Sequence, residues 1–172
     1  MARATQEIET AAGLYERDFN LWVEKQVALL EAGAFQRLDL EDLIEEIRDM
    51  ARRQRKAIRS DLIVVLTRLL KWQHQPEQRS TSWTGSILEH RRRIRDEIEE
   101  SPSLAGYPGE VFERCYRDAR EQASAEAGLP VATFPEQCPY TLEQALDPTS
   151  RPSRVGRSPS RGQAPRSSHQ IA

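Results

Sequence analysis

The chain has few of the residues that build metal sites, disulfide frameworks and aromatic cores. Its 172 residues include 2 cysteines, 3 histidines and 6% aromatic residues. With no export signal visible, we expect a reduced, cytoplasmic context in which Cys115 and Cys138 are core or free thiols rather than a disulfide. Neither His74 nor His90 has a carboxylate three residues before it, which excludes the Glu-x-x-His pairs of a di-metal helical bundle. We expect no metal and no cofactor.

Long hydrophobic runs are also missing. The longest, 62–70, is interrupted by Thr67 and Arg68 and is too short to span a bilayer, so no membrane association is expected. The opening MARATQEIETAAG has no apolar core of a secretory signal. Glycine-rich phosphate loops, nucleophile elbows and zinc-ligand spacings are absent, and we therefore assign no catalytic or cofactor-binding residue.

Negative charge is missing from one end of the chain. After Asp147 there are five arginines and no acidic residue, whereas 1–147 holds 20 Lys and Arg against 27 Asp and Glu. The segment 148–172 is rich in Arg, Ser and Pro and almost without apolar residues, so we expect a disordered tail. Residues 1–12 lack a sustained apolar stripe, and we expect them to be flexible.

The main positive signal is a helical period. Apolar residues recur at spacings of three and four from Leu14 to Leu30, and Gly33 stands where a C′ residue would end that helix. The next pattern meets no Gly or Pro before Pro76, so 40–75 is either one long helix or two with a kink. Its LIVVLTRLL run is apolar on nearly all faces, as in a central helix.

Further helical patterns follow Pro76, and no alternating strand pattern appears. We predict a single all-α bundle of four to five helices over 13–147, built around a long central helical hairpin. Pro76 would separate the two arms of that hairpin. Leu129 and Phe134 are expected to anchor an irregular segment, and Thr141 to cap a last short helix.

The turn of the predicted hairpin, KWQHQPEQRSTSW, carries two of the three tryptophans. The two rings can pack against the protein and hold the turn together. Alternatively, Trp and Arg are common interface anchors, so these residues can form a partner surface. The candidate partner surface consists of Trp72, His74, Arg79 and Trp83.

Two basic runs raise the possibility of nucleic-acid contact. With the turn centred near residue 78, RRQRKAIR (52–59) lies opposite the acidic residues of 96–100, which favours charge pairing. The run HRRRIR (90–95) faces apolar residues in that register. Its arginines are either solvated or paired, or they form an anion contact through Arg91, Arg92 and Arg93.

Two other clusters can be interpreted chemically. The acidic residues of 39–49 could be metal ligands, but a solvated helix face with helix-start charges explains them better. Cys115 with His74 or His90 is formally a thiol–imidazole pair. Cys115 lies on the apolar stripe of its helix, so we expect a buried small hydrophobe.

Four blocks in order resemble one family. They are LYERDFNLWVEKQVALLEAGAF, LDLEDLIEEIRDM, LLKWQHQPEQRSTSW and AEAGLPVATFPEQCPYTLEQAL. Together they resemble the bacterial domain of unknown function family 29 over about 14–147. The resemblance implies an all-helical domain in the bacterial cytoplasm and implies no activity.

We expect a non-enzymatic protein–protein interaction or regulatory module. Its partner is either an unknown protein or a second copy of the chain in a homo-oligomer. The first alternative is weak nucleic-acid association through the tail and Arg91–Arg95. The second alternative is an unrecognised hydrolase that uses the acidic helix face.

Overall fold

A computed structural model of the chain describes residues 13–149, which form helices and connections without a strand. The helices with defined bounds are α1 Phe19–Glu31, α2 Leu40–His74, α3 Thr81–Glu100, α4 Tyr107–Ala127 and α5 Leu142–Leu146. Single-turn 3-10 helices lie at Phe35–Arg37, Pro76–Gln78, Pro102–Leu104 and Val131–Thr133. The predicted all-α class is confirmed. The segments 1–12 and 150–172, predicted to be flexible or disordered, lie outside the described residues.

The chain divides into two compact units, and the division falls between Lys56 and Ala57, within α2. We call described residues 13–56 the N-terminal unit and 57–149 the C-terminal unit. Within these ranges, no helix is long and apolar enough to cross a membrane. The single domain boundary predicted at 13–147 stays a prediction.

Helix α1 begins at a capping aspartate and ends at a glycine. Asp18 has φ −152°, and its side chain accepts a hydrogen bond from the Leu21 N–H at 3.0 Å. This cap interrupts the period predicted to run from Leu14, so residues 13–17 form a separate helical segment. Gly33 has φ +66°, a left-handed conformation that glycine adopts without strain. The predicted stop at Gly33 is confirmed.

Polar contacts hold α1 against the first turns of α2 in the N-terminal unit. The Tyr15 hydroxyl donates to Glu46 Oε1 at 2.8 Å, and the Trp22 indole N–H donates to Asp39 Oδ2 at 3.2 Å. Gln26 Oε1 accepts the Asp39 backbone N–H at 2.9 Å. Earlier residues pair with later residues of α2, so the two segments run antiparallel.

Helix α2 is one continuous helix of 35 residues, which decides the alternative that the sequence left open. It ends before Pro76, as predicted. Helix α3 returns antiparallel in the C-terminal unit, with His90 Nδ1 2.6 Å from Asp61 Oδ1. The predicted register placed Arg95 opposite Asp61, so the observed pairing is shifted by more than one helical turn.

The core of the C-terminal unit surrounds the second half of α2. All nine residues of 62–70 are buried or half-buried, which confirms the predicted central position of this run. The other helices contribute one buried face each. The core residues from α3, α4 and α5 are Ile87, Ile94, Phe112, Cys115, Tyr116, Ala119, Ala123 and Ala145.

The irregular segment after α4 is fixed to that helix. Phe134 is 1% exposed, and its carbonyl accepts a hydrogen bond from Arg120 Nε at 3.0 Å. The Tyr116 hydroxyl donates to the Pro135 carbonyl at 2.6 Å. Thr141 caps α5 through a capping box with Gln144, as the sequence predicts.

Candidate interaction surfaces

The predicted partner surface at the hairpin turn is built from cation–aromatic contacts. Arg79 donates from Nε to the Trp72 carbonyl at 2.9 Å, and its guanidinium carbon lies 5.2 Å from the centroid of the Trp72 ring. The Lys71 ammonium nitrogen lies 4.7 Å from the centroid of the Trp83 ring. Such contacts contribute up to about 2 kcal/mol each when they are desolvated. The structure thus gives each tryptophan a cation from the turn itself.

His74 belongs to the same turn but points towards the core. Its ring meets Phe134 edge-on with centroids 5.1 Å apart. Its Nε2 is buried and has no hydrogen-bond partner among residues 13–149. Burial lowers the pKa of His74 below its ordinary value. All four residues of the candidate partner surface are half-buried, and their contacts lie within the protein. The role of Trp72, His74, Arg79 and Trp83 as a partner surface stays a prediction.

The three arginines predicted to contact an anion have different environments. Arg91 is 4% exposed, and it donates from Nε to the Ala145 carbonyl at 2.7 Å and from Nη2 to the Gln144 carbonyl at 3.2 Å. These carbonyls lie at the end of α5, so Arg91 fastens that helix to α3.

Arg92 and Arg93 are exposed and pair with carboxylates of α3. Arg92 forms salt bridges with Glu89 at 3.0 Å and with Asp96 at 2.5 Å, and Arg93 Nε lies 2.9 Å from Glu89. Hydrogen bonds from Arg92 and Arg93 lower the pKa of Glu89 to about 2. The local carboxylates therefore compete with any external anion, and anion binding stays a prediction.

The remaining chemical interpretations can be placed in the structure. Cys115 is fully buried, as predicted, and burial raises the pKa of its thiol to about 11, which keeps it protonated. Its Sγ lies 3.8 Å from the Arg59 carbonyl. Among residues 13–149, no group of three or more His, Cys, Asp or Glu side chains is placed to hold a metal ion.

Part of the predicted basic run, 52–59, pairs within its own helix. Arg52 lies 2.9 Å from Asp49, and Arg53 lies 2.9 Å from Glu46. Both pairs are local to α2, one turn apart for Arg52 and two turns apart for Arg53, and both arginines are exposed. The structure thus shows charge pairing for these two arginines, and phosphate contact by the run 52–59 stays a prediction.

The N-terminal unit exposes most of the large apolar side chains that reach solvent. Of twelve such side chains in the described residues, ten belong to this unit. Ile47 is 59% exposed and Met50 is 62% exposed. The ten are Phe19, Leu21, Val23, Val27, Leu30, Phe35, Leu40, Ile44, Ile47 and Met50.

Most of these side chains form two stripes. The α1 stripe is Phe19, Val23, Val27 and Leu30. The α2 stripe is Leu40, Ile44 and Ile47 together with the exposed Ala51. Spacings of three and four place each set on one helical face. A different face of α1, with Trp22, Gln26 and Leu29, is the buried one.

The two stripes lie on the same side of the antiparallel pair. At about 100° per residue, the α1 stripe is rotated by about 90° from the buried face of α1. The α2 stripe is rotated in the same sense, by about 120°, from Asp39 and Glu46, which bind Trp22 of α1 and Tyr15 of the preceding segment. In an antiparallel pair, two stripes that are rotated in the same sense from the contacting faces come to lie on the same side of the pair. We call the two stripes together the exposed apolar face.

The charges around this face are arranged asymmetrically. On the side towards α1, the hydrogen bond to Glu46 raises the pKa of Tyr15 to about 12. Burial, and then a hydrogen bond with Asp39, raise the pKa of Asp42. On the outer side of the α2 stripe, the charged residues are exposed, and Arg52 among them pairs with Asp49 at 2.9 Å. They are Glu41, Glu45, Arg48 and Arg52.

The sequence shows the apolar stripes but does not show that they are exposed. Both stripes follow the helical period, and such a period ordinarily indicates a face turned to a core. The available signal is the width of the apolar arc on α1. Viewed down the axis of α1, the apolar positions between Leu29 and Val27 span an arc of about 160°. This arc is wider than the surface that one packing partner covers.

A comparison with protein-family models supports the resemblance that the four sequence blocks indicate. No curated protein and no solved structure matches the chain significantly. The family model described as "Domain of unknown function DUF29" matches residues 14–150. The match covers both compact units and most of the chain, and the chain belongs to this family.

Proposed function

We propose that the chain is a non-enzymatic protein–protein interaction module whose docking surface is the exposed apolar face. The observation that carries the proposal is the concentration of ten exposed large apolar side chains in the N-terminal unit. Contiguous apolar patches of more than a few hundred Å² are rare on monomeric proteins and mark interaction sites. Removal of such side chains from water is the main driving force of association.

The contacts beneath the face hold it in a fixed shape. Trp22 is 1% exposed and is bonded to Asp39, and its ring lies 4.9 Å from the ring of Tyr15. Tyr15 in turn is bonded to Glu46 on α2. A surface that is ordered before binding loses less conformational entropy when the partner arrives. Two helices fixed in this way favour docking of a folded partner.

Photo-cross-linking in bacterial cells tests the proposal. Benzoyl-phenylalanine replaces Val27 in the α1 stripe, and the expected result is a covalent adduct with a protein after irradiation. Ile47→Asp in the same chain should abolish this adduct, because a carboxylate in the α2 stripe would have to be desolvated in the complex. Helicity measured by circular dichroism checks that the variant folds.

The matched control uses an exposed apolar residue of the other unit. Leu88 on α3 is 48% exposed, close to the 46% of Val27. Leu88→Asp should leave the adduct formed from position 27 unchanged, and benzoyl-phenylalanine at position 88 should give none. Equal labelling from positions 27 and 88, or no adduct from position 27, contradicts the proposal.

A further inference from the structure

The outer edge of the α2 stripe carries charges in a definite order. Glu41, Glu45, Arg48 and Arg52 are spaced by four, three and four residues, so they form one line along the helix. This line runs beside the apolar line of Leu40, Ile44, Ile47 and Ala51. The first two charges are negative and the last two positive. A partner that matches this edge must present positive charge first and negative charge afterwards.

A second copy of the same helix, placed antiparallel, meets that requirement. In an antiparallel pair the corresponding edges of the two helices lie side by side. A twofold axis near Ile47 therefore brings Glu41 and Glu45 of one copy beside Arg52 and Arg48 of the second copy. The same axis places Ile44 beside Ala51 and Ile47 beside Ile47. An isologous interface of this kind uses one patch on both subunits.

Charge complementarity and apolar continuity thus point to one occupant. We infer that the exposed apolar face binds a second copy of this chain, through antiparallel packing of the first halves of the two α2 helices about a twofold axis near Ile47. The inference rests on the proposed function and names its partner. The α1 stripes of both copies lie on the flank opposite the charged edges, where they extend the apolar surface.

Charge reversal on the purified full-length chain tests the pairing. Chain one carries Glu41→Arg and Glu45→Arg, and chain two carries Arg48→Glu and Arg52→Glu. Each chain alone should be monomeric in sedimentation velocity at concentrations where the wild type has twice the 19.7 kDa mass of one chain. Each copy then contributes four like charges to the shared edge, and we expect dimer affinity to fall at least tenfold.

Mixing the two chains should restore a one-to-one dimer, because each reversed pair now faces its opposite. All four reversals placed in one chain should restore the homodimer. Only an antiparallel pairing of this edge with itself gives both rescues, and a general loss of folding gives neither. Circular dichroism on each chain checks that the helix has formed. The control variant Leu88→Asp should dimerise as the wild type does.

Several outcomes overturn the inference. One is a wild-type chain that stays monomeric at every concentration tested. A second is a dimer that survives charge reversal, which would place the contact elsewhere. A third is reversal without rescue on mixing. If cross-linking from position 27 still yields an Ile47-dependent adduct with a different protein, the proposed function stands and only the second copy fails. If no adduct forms from position 27 and the wild-type chain is monomeric, both fail.

Discussion

The two compact units use the same helical pattern in different ways. In the C-terminal unit, Ile58, Leu62 and Val65 of α2 are each 0% exposed. In the N-terminal unit, Leu40 and Ile44 of the same helix are 55% and 45% exposed. The spacing of apolar residues is the same in both stretches. The pattern therefore indicates that a face needs to be covered, and it leaves open which molecule covers it.

The units also differ in how their polar groups are satisfied. The C-terminal unit binds its buried cations internally, since Lys71 is bonded to Glu126 at 2.8 Å and Arg91 to two carbonyls of α5. Burial alone would raise the pKa of Glu126, but hydrogen bonds from Lys71 and Gln122 and the charges of Arg68 and Lys71 outweigh it. The pKa of Glu126 therefore lies below its ordinary value. The N-terminal unit instead keeps a line of exposed charges beside its apolar face.

The largest expected effect separates core from surface directly. Leu66→Ala in the C-terminal unit should lower the free energy of unfolding by about 3 kcal/mol, because Leu66 is 0% exposed and its removal leaves a cavity. Ile47→Ala in the N-terminal unit should lower it by less than about 0.5 kcal/mol, as for an ordinary surface change. Urea denaturation at low protein concentration, where association contributes least, measures both values.

Similar losses for the two variants would break the comparison. They would mean that Ile47 is buried in the isolated chain, and the exposed apolar face would then not be available to a partner. A loss for Ile47→Ala that appears only as the protein concentration rises would instead be the mass-action signature of a bound second molecule.

Local features of the fold follow from the sequence because neighbouring residues determine them. The glycine at position 33, the proline at 76 and the capping threonine at 141 act through their own backbone or through residues three positions away. All three end or begin helices as predicted. The continuity of α2 could not be decided in this way, because its polar middle permits both one helix and two.

The hairpin register and the candidate surfaces depend on contacts between distant residues. His90 lies opposite Asp61, more than one turn from the predicted position. The register between α2 and α3 depends on the packing of all the side chains along both helices. Arg91 shows the same limit. Its run of arginines resembles an anion site, but α5, more than fifty residues later, supplies the two carbonyls that it binds. No local signal indicates that partner.

The second expected effect compares a buried arginine with an exposed one. Arg91→Met should lower the free energy of unfolding by about 2 kcal/mol, because the Ala145 and Gln144 carbonyls lose their donors. Arg91→Lys should recover part of that loss, since an ammonium cannot reach both carbonyls with the geometry of a guanidinium. The matched control, Arg92→Met, should have a much smaller effect because the Arg92 side chain is 52% exposed. Equal losses at positions 91 and 92 would refute this assignment.

Acid affects one titrating group of each unit with opposite sign. In the C-terminal unit, burial lowers the pKa of His74, so the unfolded chain binds its proton more readily than the folded chain. In the N-terminal unit, burial and the hydrogen bond with Asp39 raise the pKa of Asp42, so the folded chain holds that proton more readily. Protonation of His74 on acidification therefore lowers the free energy of unfolding. At lower pH, protonation of Asp42 raises that free energy.

The smallest expected effect is the contribution of His74 to the pH dependence of stability. This contribution is complete above the ordinary histidine pKa of 6.5 and is lost as the pH falls below it towards the lowered pKa of the folded state. His74→Leu removes the titrating ring and the buried Nε2 that has no partner. The free energy of unfolding of the variant, measured by urea denaturation from pH 7.5 to pH 5, should fall less steeply than that of the wild type. Parallel curves would show that the His74 ring is hydrated in solution, and the turn around Trp72 and Trp83 would then be open enough to serve as the partner surface that the sequence predicts.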